Sequence, residues 1–183
     1  MHPVELRGAR LVLNAPTPAD IPAVTEYCQD PIFEHVMTLP WPYHRGDAQY
    51  FVEEHVPLGW ADDTEYTWAL RLSADGPLLG AIGFRVASSD LGYWLGAPHR
   101  GHRLMPEAVA LVVDWVFGRG VERIGWECVV GNTASLSVAR ASGFTFVGEA
   151  PAGVPARDGS RPPAWHGLLA AGDSRDPKPG WPA

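Results

Sequence analysis

Short runs of apolar residues, several of them alternating with polar ones, recur along the chain between turn-forming Gly, Pro, Asp and Asn residues. Such runs are typical of strands, because successive side chains of a strand point to opposite faces of its sheet. They predict strands over residues 10–13, 66–72, 78–87, 90–96, 123–130, 144–149 and 164–170. The turn-forming residues 73–77 between the second and third of these runs predict a hairpin.

Other segments repeat apolar residues at the three- and four-residue spacing of a helix. The first begins at Thr17-Pro18-Ala19-Asp20, where Thr is an N-cap, Pro occupies the first helical position and Asp lies in the first turn. A second helix is predicted from Asp47 to Val56, and the strongest pattern follows Leu104. A short helix over residues 132–142 is predicted to end at Gly143.

The order of these elements predicts an α+β fold. A strand, two helices and a three-strand meander are followed by a helical crossover, a strand, a short helix and two further strands. This order predicts a mixed, mostly antiparallel sheet of six to seven strands flanked by about four helices. We expect one domain over residues 1–170, and the polar, proline-rich residues 171–183 predict a disordered tail.

The composition limits the classes of partner and the cellular compartment that we expect for the protein. The 21 acidic and 14 basic residues give a net charge of −7, which argues against general binding to nucleic acid. The first residues lack the apolar segment of a signal peptide, and no run approaches the ~18 apolar residues of a membrane span. Cys28 and Cys128 form no CxxC motif. We therefore expect a cytoplasmic protein with reduced thiols and no membrane partner, a Cys28–Cys128 bridge being the alternative.

The segment from Leu91 to Ala108 carries the clearest chemical signal. A predicted strand runs into the basic loop His99-Arg100-Gly101-His102-Arg103, and the loop runs into the strongest helix. Free backbone N–H groups and the helix dipole favour an anion at such a point, and phosphate is the natural occupant. The alternative interpretation is a solvated loop that contains arginines.

A second segment, Gly131 to Phe144, places Asn132 and Ser135 where a strand gives way to a helix. Taken alone, Asn132 is explained equally well as a helix cap, and Ser135 as an ordinary serine of the first turn. The two segments together read Arg-Gly-x-x-x-Met-x-Glu-Ala and, about thirty residues later, Asn-x-x-Ser-x-x-Val-Ala-x-x-x-Gly-Phe. This combination resembles the GNAT acetyltransferase superfamily, and most of all its RimJ/RimL branch, from about Leu11 to Leu169.

The resemblance implies an N-acetyltransferase with acetyl-CoA as the donor and an amine as the acceptor. It implies that backbone groups from Leu95 to Ala97 hold the pantetheine arm like an added strand, and that Asn132 hydrogen-bonds this arm. It also implies that Ser135 lies near the thioester sulfur and that Arg140 reaches the nucleotide end. The pyrophosphate is expected in the loop formed by Arg100, Gly101, His102, Arg103, Leu104 and Met105.

The chain departs from the family pattern at Arg103, where the family usually has Gly. A Cβ at this position crowds the approach of a phosphate to the backbone, and it makes a positive φ costly. The Arg103 side chain can compensate with charge-assisted hydrogen bonds to phosphate, or the change can weaken cofactor binding. A second departure, Met105 in place of Gly or Ala, is common in the RimJ/RimL branch.

Acetyl transfer needs a neutral amine, and hence a general base, together with a group that protonates the leaving thiolate. The candidate bases are Asp90, Glu127 and His35, and the candidate acid is Ser135 with Tyr93 behind it. For each base the alternative is a surface or salt-bridged group. The acceptor is expected near the loop from Met37 to His44. Its wall is predicted to include His35, Trp41, Tyr43 and Trp60.

Other classes of function lack support in the sequence. No GxGxxG follows a strand, and the motifs GxxxxGK[ST], GxSxG and HExxH are absent. No metal site is expected, because His99 and His102 have too few further ligands nearby. The alternative to an enzyme is a GNAT-fold binding protein whose cofactor loop is impaired at Arg103. The identity of the acceptor remains open between a protein N-terminus, a polyamine, an amino acid and an aminoglycoside-like amine. The oligomeric state remains open between a monomer and a homodimer.

Overall fold

Eight strands form one mixed sheet in the computed structural model, which describes residues 1–182. The strands are β1 (Leu6–Arg7), β2 (Val12–Asn14), β3 (Glu65–Arg71), β4 (Gly80–Arg85), β5 (Asp90–Leu95), β6 (Arg123–Val129), β7 (Thr145–Pro151) and β8 (Pro163–Ala170). Their order across the sheet is β1-β2-β3-β4-β5-β6-β8-β7. All neighbours are antiparallel except β5 and β6, which run parallel. The predicted α+β fold with a mostly antiparallel sheet is confirmed.

The sheet has one strand more than predicted, because the chain folds back at its N-terminal end. β1 pairs Leu6 with Leu13 and Arg7 with Val12. A strand of two residues is too short to show alternation, so no periodic pattern marks it in the sequence.

The helices are α1 (Ile21–Cys28), α2 (Phe33–Val36), α3 (Arg45–Tyr50), α4 (Val56–Ala61), α5 (Leu104–Phe117) and α6 (Thr133–Ala141). A π-helical turn, Phe51–His55, joins α3 to α4, so this helical segment extends beyond the predicted range of 47–56 on both sides. α2 is a single turn that ends just before the predicted loop from Met37 to His44.

Apolar side chains form a core on each face of the sheet. Successive residues of β3 serve different cores, since Trp68 belongs to the first and Ala69 to the second. The second core lies under α1, α2 and α3, and it includes Ala81 and Trp94 of the sheet. The first core lies under α5 and α6, and α5 contributes Leu104, Met105, Ala108, Val109, Val112, Val113 and Val116.

A buried ion pair fastens the start of α1 to the sheet. The guanidinium of Arg71, on β3, donates to both carboxylate oxygens of Asp20 at 2.8 and 2.5 Å, and both side chains are only 6% exposed. Burial alone raises the pKa of Asp20, but the hydrogen bonds from Arg71 and Thr17 outweigh burial and hold the pKa below its usual value. The carboxylate therefore remains charged inside the fold.

Residues 171–182, the greater part of the predicted disordered tail, contain no helix or strand, but they pack against the sheet. The indole of Trp181 lies with its ring centre 5.7 Å from that of Trp126 and 5.4 Å from that of Phe146. The Lys178 ammonium pairs with Asp173 at 2.7 Å. An apolar aromatic near the end of a polar segment accounts for this packing, since its burial stabilises an otherwise solvated stretch.

Three features of the described residues bear on compartment and ligands. Cys28 and Cys128 are both buried, and no disulfide joins them. No helix within residues 1–182 is long and apolar enough to cross a membrane. The same residues contain no cluster of three or more His, Cys, Asp and Glu side chains that could hold a metal ion.

Candidate active site

The two parallel strands at the centre of the sheet pair only at their beginnings. β5 and β6 are in register at Asp90 with Gly125 and at Leu91 with Trp126, and their ladder ends there. The rest of β5, from Gly92 to Leu95, therefore has no strand partner on its β6 side. Unpaired backbone groups at such an edge can hydrogen-bond an extended ligand in the manner of an added strand.

A cavity of about 1010 Å³ opens where the two strands separate. One wall of the cavity, where the sequence predicts the acetyl donor, includes Leu95, the loop before α5 and the N-terminal turn of α5. One face of α6 lines it through Ala134, Ser137, Val138 and Ala141, which recur at helical spacing. The cavity thus brings together residues of both segments singled out in the sequence: Leu91, Gly92, Tyr93, Trp94, Leu95, Arg100, Gly101, Arg103, Leu104, Met105, Asn132 and Ser135.

The loop before α5 has a left-handed backbone at two positions. Gly101 has φ +80°, where no Cβ penalty applies. Arg103, the residue that precedes α5, has φ 57° and ψ 29°. For a residue with a Cβ this conformation costs roughly 1–2 kcal/mol. The loop therefore adopts at Arg103 a backbone suited to Gly although the side chain is present.

Arg100 is tied into the fold through most of its guanidinium. Its Nε donates to the carbonyl of Leu95 at 3.0 Å, and its Nη1 pairs with Asp30 at 2.8 Å. The guanidinium also lies over the ring of Phe33, 5.2 Å from the ring centre. The buried Nη2 has no hydrogen-bond partner among the described residues. Arg100 thus joins the end of β5 to the segment between α1 and α2, with one buried nitrogen left without a partner among the described residues.

Two hydroxyl groups and an indole meet in the cavity wall. The Tyr93 hydroxyl donates to the backbone carbonyl of Ser135 at 3.1 Å and accepts from Nε1 of Trp126 at 2.9 Å. The Ser135 Oγ lies 3.2 Å from both the Tyr93 hydroxyl and Trp126 Nε1. Burial raises the pKa of Tyr93, so its phenol stays protonated at neutral pH. The network holds the Ser135 side chain in place with neutral groups only.

Asn132 caps α6, since its side-chain oxygen accepts the backbone N–H of Ser135 at 3.1 Å. The predicted capping role is therefore present, and Asn132 also lines the cavity. Cys128 lies beside it, with its thiol 3.6 Å from the Asn132 carbonyl. Burial raises the pKa of this thiol to about 12, which keeps it protonated at neutral pH.

A model of the acetyltransferase (GNAT) domain family matches residues 10–145. The chain belongs to the GNAT acetyltransferase family. This confirms the family expected from the sequence. Probable N-acetyltransferase YjcK of Bacillus subtilis is 30% identical over 89 residues, which are 45% of this chain and 49% of that protein. The chain therefore spans about half the length of the curated relative that it matches.

Solved GNAT structures show the same fold at low sequence identity. The GNAT-family acetyltransferase from Bacillus anthracis matches with a TM-score of 0.77 and 17% identity, covering 91% of this chain and 98% of that chain. The microcin C7 self-immunity acetyltransferase MccE, solved with acetyl-CoA and AMP, matches at 0.75 and 18%, covering 89% and 93%. RimL, the ribosomal L7/L12 acetyltransferase solved with coenzyme A, also matches at 0.75 and 18%, covering 91% and 98%. These structures share the GNAT fold of the chain.

Three residues predicted for the donor site of this GNAT domain lie outside the cavity lining. Ala97 and His102 are exposed on either side of Arg100, and Arg140 is exposed on α6. The neighbouring His99 is 2.9 Å from the Tyr27 hydroxyl through its Nε2. The structure therefore places the His99 side chain in a contact with α1.

The three candidate bases have different surroundings. Asp90 does not line the cavity, and hydrogen bonds from Arg85 and Ser88 use both of its oxygens. Glu127 lines the cavity, and its oxygens accept the backbone N–H groups of Gly153 and Val154 at 2.8 and 3.0 Å. His35 also lines the cavity, with its side chain 77% exposed. For Asp90 the alternative of a salt-bridged group is the one observed.

The aromatic residues predicted to line the acceptor site do not reach the cavity. Tyr43 is 4% exposed and packs in the core under α1 and α3, and Trp60 is fully buried in the other core. Trp41 is partly exposed and lies outside the cavity lining. Aromatic side chains bury large apolar areas, which explains why they serve the cores instead.

The cavity has another wall in place of these aromatic residues. It consists of residues 32–38 around α2 and the connection between β7 and β8, residues 152–162. Arg157 fastens these two segments together, because its guanidinium donates to the carbonyls of Glu34, Met37 and Leu39, the last two at 3.0 and 2.9 Å. No periodic pattern marks the connection, so only its adjacency to β8 could have indicated this role.

Proposed function

We propose that the chain is an acetyl-CoA-dependent N-acetyltransferase that transfers the acetyl group directly from the thioester to a primary amine. The single observation that carries this proposal is the separation of β5 from β6 over a cavity that also contains the loop before α5 and the Ser135 hydroxyl. One elongated ligand with an acyl end and a phosphate end suits this arrangement. MccE and RimL, which share the fold, were solved with acetyl-CoA and with coenzyme A.

The donor would lie along the free edge of β5. Backbone groups near Leu95 would hold the pantetheine arm, and the loop from Arg100 to Met105 would hold the pyrophosphate. Free N–H groups at the start of α5, together with Nη2 of Arg100, supply donors for an anion. The loop carries Arg100, His102 and Arg103, although the whole chain carries a net charge of −7.

Catalysis would divide between a base on the acceptor side and a hydroxyl on the donor side. Glu127 is the base that we assign, because its carboxylate lines the cavity and retains acceptor capacity beyond its two backbone N–H bonds. It would take a proton from the ammonium group of the acceptor, directly or through a water molecule, which leaves the neutral amine that attacks the thioester carbonyl. Ser135 would donate to the sulfur as the C–S bond breaks, while Tyr93 and Trp126 hold its oxygen in place.

Cys128 takes no covalent part in this proposal. Its thiol lines the cavity, but a pKa of about 12 leaves almost no thiolate to attack the acetyl group. The amine therefore attacks the thioester without an acetyl-enzyme intermediate. The acceptor itself is a small-molecule amine or a peptide N-terminus that enters between residues 32–38 and 152–162.

Two measurements test the proposal. Acetyl-CoA should raise the melting temperature of the protein, because a ligand that binds only the folded state stabilises it. A panel of amines, including polyamines, amino acids, aminoglycosides and peptides with free N-termini, should then release free thiol from acetyl-CoA. If millimolar acetyl-CoA left the melting temperature unchanged, the proposal would be contradicted. A shift without turnover by any amine would favour the alternative of a non-catalytic binding protein.

A further inference from the structure

Arg10 reaches across the sheet edge to the loop before α5. Its Nη1 donates to the carbonyl of His102 at 3.1 Å, and its Nη2 donates to the carbonyl of Arg103 at 2.9 Å. Its Nε donates to Oε2 of Glu107 at 2.8 Å, and its backbone N–H donates to Oε1 of the same carboxylate at 2.8 Å. One guanidinium thus spans two successive carbonyls of the loop and a carboxylate on the first turn of α5.

We infer that Arg10 and Glu107 are a positioning pair that holds the loop before α5 in the conformation that binds the pyrophosphate of coenzyme A. The inference rests on the proposed function, since it concerns the same donor site. Neither residue was assigned a role by the sequence, because they are separated by 97 positions and belong to different elements. Both residues act through the backbone, without touching the ligand.

The geometry of the peptide bond explains how the pair works. In a trans peptide the C=O and the N–H point in opposite directions. Fixing the His102 carbonyl toward Arg10 therefore turns the Arg103 N–H away from Arg10. Fixing the Arg103 carbonyl does the same for the N–H of Leu104, one of the first N–H groups of α5, which have no partner within the helix. Two adjacent N–H donors are thereby held on the side of the loop opposite to Arg10.

The pair also accounts for the left-handed backbone at Arg103. A residue with a Cβ resists this conformation, and a family member with Gly at this position does not meet that resistance. The two carbonyls held by Arg10 are the ones on either side of the Arg103 Cα. Hydrogen bonds to both of them restrain φ and ψ of Arg103 together. The Arg10 bonds thus compensate for the loss of Gly at this position.

The carboxylate of Glu107 is charged and placed so that it holds Arg10. Burial raises the pKa of its carboxyl group, but hydrogen bonds from Arg10 and from the Leu11 backbone outweigh burial and lower the pKa below its usual value. Gly8 leaves room for the carboxylate, since a Cβ at Gly8 would lie 2.6 Å from Oε1 of Glu107. The charged carboxylate orients the guanidinium fork toward the loop.

The test is to compare Arg10→Ala with Arg7→Ala in acetyl-CoA binding and turnover. Arg7 is a matched control, because it is an arginine near Arg10 whose side chain is 64% exposed and contacts Glu5. We expect Arg10→Ala to raise the KM and Kd for acetyl-CoA about tenfold, the size of one charge-assisted hydrogen bond, with kcat at saturating donor nearly unchanged. Arg7→Ala should leave both constants unchanged.

A donor without the pyrophosphate separates positioning from general damage. Acetyl-pantetheine has the same thioester and arm but lacks the phosphates, so Arg10→Ala should leave its kcat/KM unchanged. Glu107→Gln should show the same selective loss to a smaller extent, which keeps the test independent of any folding defect in Arg10→Ala. The inference would be overturned if Arg10→Ala lost kcat/KM equally with both donors, or if it lost none with acetyl-CoA.

A double-mutant comparison tests the link to Arg103. In an Arg103→Gly background the left-handed backbone has no Cβ cost, so adding Arg10→Ala should weaken acetyl-CoA binding less than it does in the wild type. Equal losses in the two backgrounds would overturn this link. If the wild type itself fails to bind acetyl-CoA, the proposed function falls as well. If the wild type and Arg10→Ala bind acetyl-CoA equally well, only the positioning role of Arg10 is contradicted.

Discussion

The phenol of Tyr93 donates its proton to the backbone carbonyl of Ser135, while the Ser135 hydroxyl lies 3.2 Å from the phenol oxygen. The single phenolic proton is thus committed to a carbonyl, whereas the serine hydroxyl donates to the phenol oxygen and can exchange that bond for one to the leaving sulfur. Tyr93 therefore positions Ser135, and Ser135 is the group that we expect to donate to the leaving thiolate. The two residues should differ accordingly when each is replaced.

Ser135→Ala should lower kcat by about a hundredfold or more, the usual contribution of a positioned acid. The KM for acetyl-CoA should change little, because the hydroxyl acts as the C–S bond breaks. Steady-state kinetics with the best amine of the panel measure both. Ser142→Ala is the matched control, since the Ser142 hydroxyl bonds only to the Val138 carbonyl in the same helical region. A kcat within twofold of wild type would remove Ser135 from the mechanism.

Tyr93→Phe should lower kcat by about tenfold, which is less than the loss in Ser135→Ala. Trp126 Nε1 remains to hold the Ser135 oxygen at 3.2 Å, so the serine keeps one of its two partners. Rate measurements on both variants give the ranking. Tyr66→Phe serves as the control, because its hydroxyl bonds to Asp63 away from the cavity. A greater loss in Tyr93→Phe than in Ser135→Ala would reverse the assigned roles.

Cys128→Ala should retain activity within about threefold of wild type, since a thiol with a pKa of about 12 supplies no nucleophile at neutral pH. Mass spectrometry of the wild type mixed with acetyl-CoA alone should show no acetylated protein. A loss of activity by two orders of magnitude, together with acetyl transfer to Cys128, would replace direct attack by a two-step reaction.

Asp20→Asn should destabilise the fold by about 3 kcal/mol, because it leaves the buried Arg71 guanidinium without its counter-charge. Urea denaturation measures the change, and Asp75→Asn at an exposed turn is the control. The pKa of Asp20 is lowered in the folded state, so its contribution is present above its unfolded pKa and is lost as the pH falls through the folded value. The difference between variant and wild type should therefore narrow in acid.

His55 and Glu65 should make stability depend on pH in a defined window. They lie 3.4 Å apart, and the hydrogen bond that His55 donates to Glu65 raises the pKa of His55. Burial raises the pKa of Glu65, but the hydrogen bond from His55 outweighs burial and lowers it. The contribution of His55 is complete below its unfolded pKa and disappears as the pH rises through its folded pKa. The contribution of Glu65 is present above its unfolded pKa and disappears in acid.

His55→Gln should consequently lower the melting temperature more at pH 5.5 than at pH 8.5. Melting curves of the variant and the wild type at both pH values measure this difference. His2→Gln is the control, since no ion pair is formed by His2 among the described residues. An equal loss at both pH values would show that His55 stabilises the fold by packing alone.

Much of the sheet and the main helices could be predicted from local patterns. The helical spacing after Leu104 corresponds to the buried face of α5, and the turn at residues 73–77 joins β3 to β4 as a hairpin. The short strand β1 could not be predicted, since two residues carry no period. The single turn α2 was missed for the same reason: four residues cannot show helical spacing.

The proposed donor side could be singled out in the sequence, because its residues are continuous along the chain. One strand, one loop and one helix start carry it, together with the Asn132 and Ser135 turn. The acceptor side could not, because it is assembled from two connections about 120 residues apart that Arg157 fastens together. The aromatic residues near Trp41 offered a local signal, but burial in the cores accounts for Tyr43 and Trp60.

The contact between Trp181 and Trp126 has a consequence for the smallest fragment that can work. Trp126 holds the Ser135 and Tyr93 oxygens on one side and meets Trp181 on the other. The family match ends at Thr145, the first residue of β7, and leaves out the rest of β7, β8 and the segment that carries Trp181. A fragment cut at that boundary would keep both hydroxyl groups of the network. It would, however, expose to water the indole of Trp126, which holds these hydroxyl groups in place. We therefore expect the working unit to extend through Trp181, beyond the stretch that the family model matches.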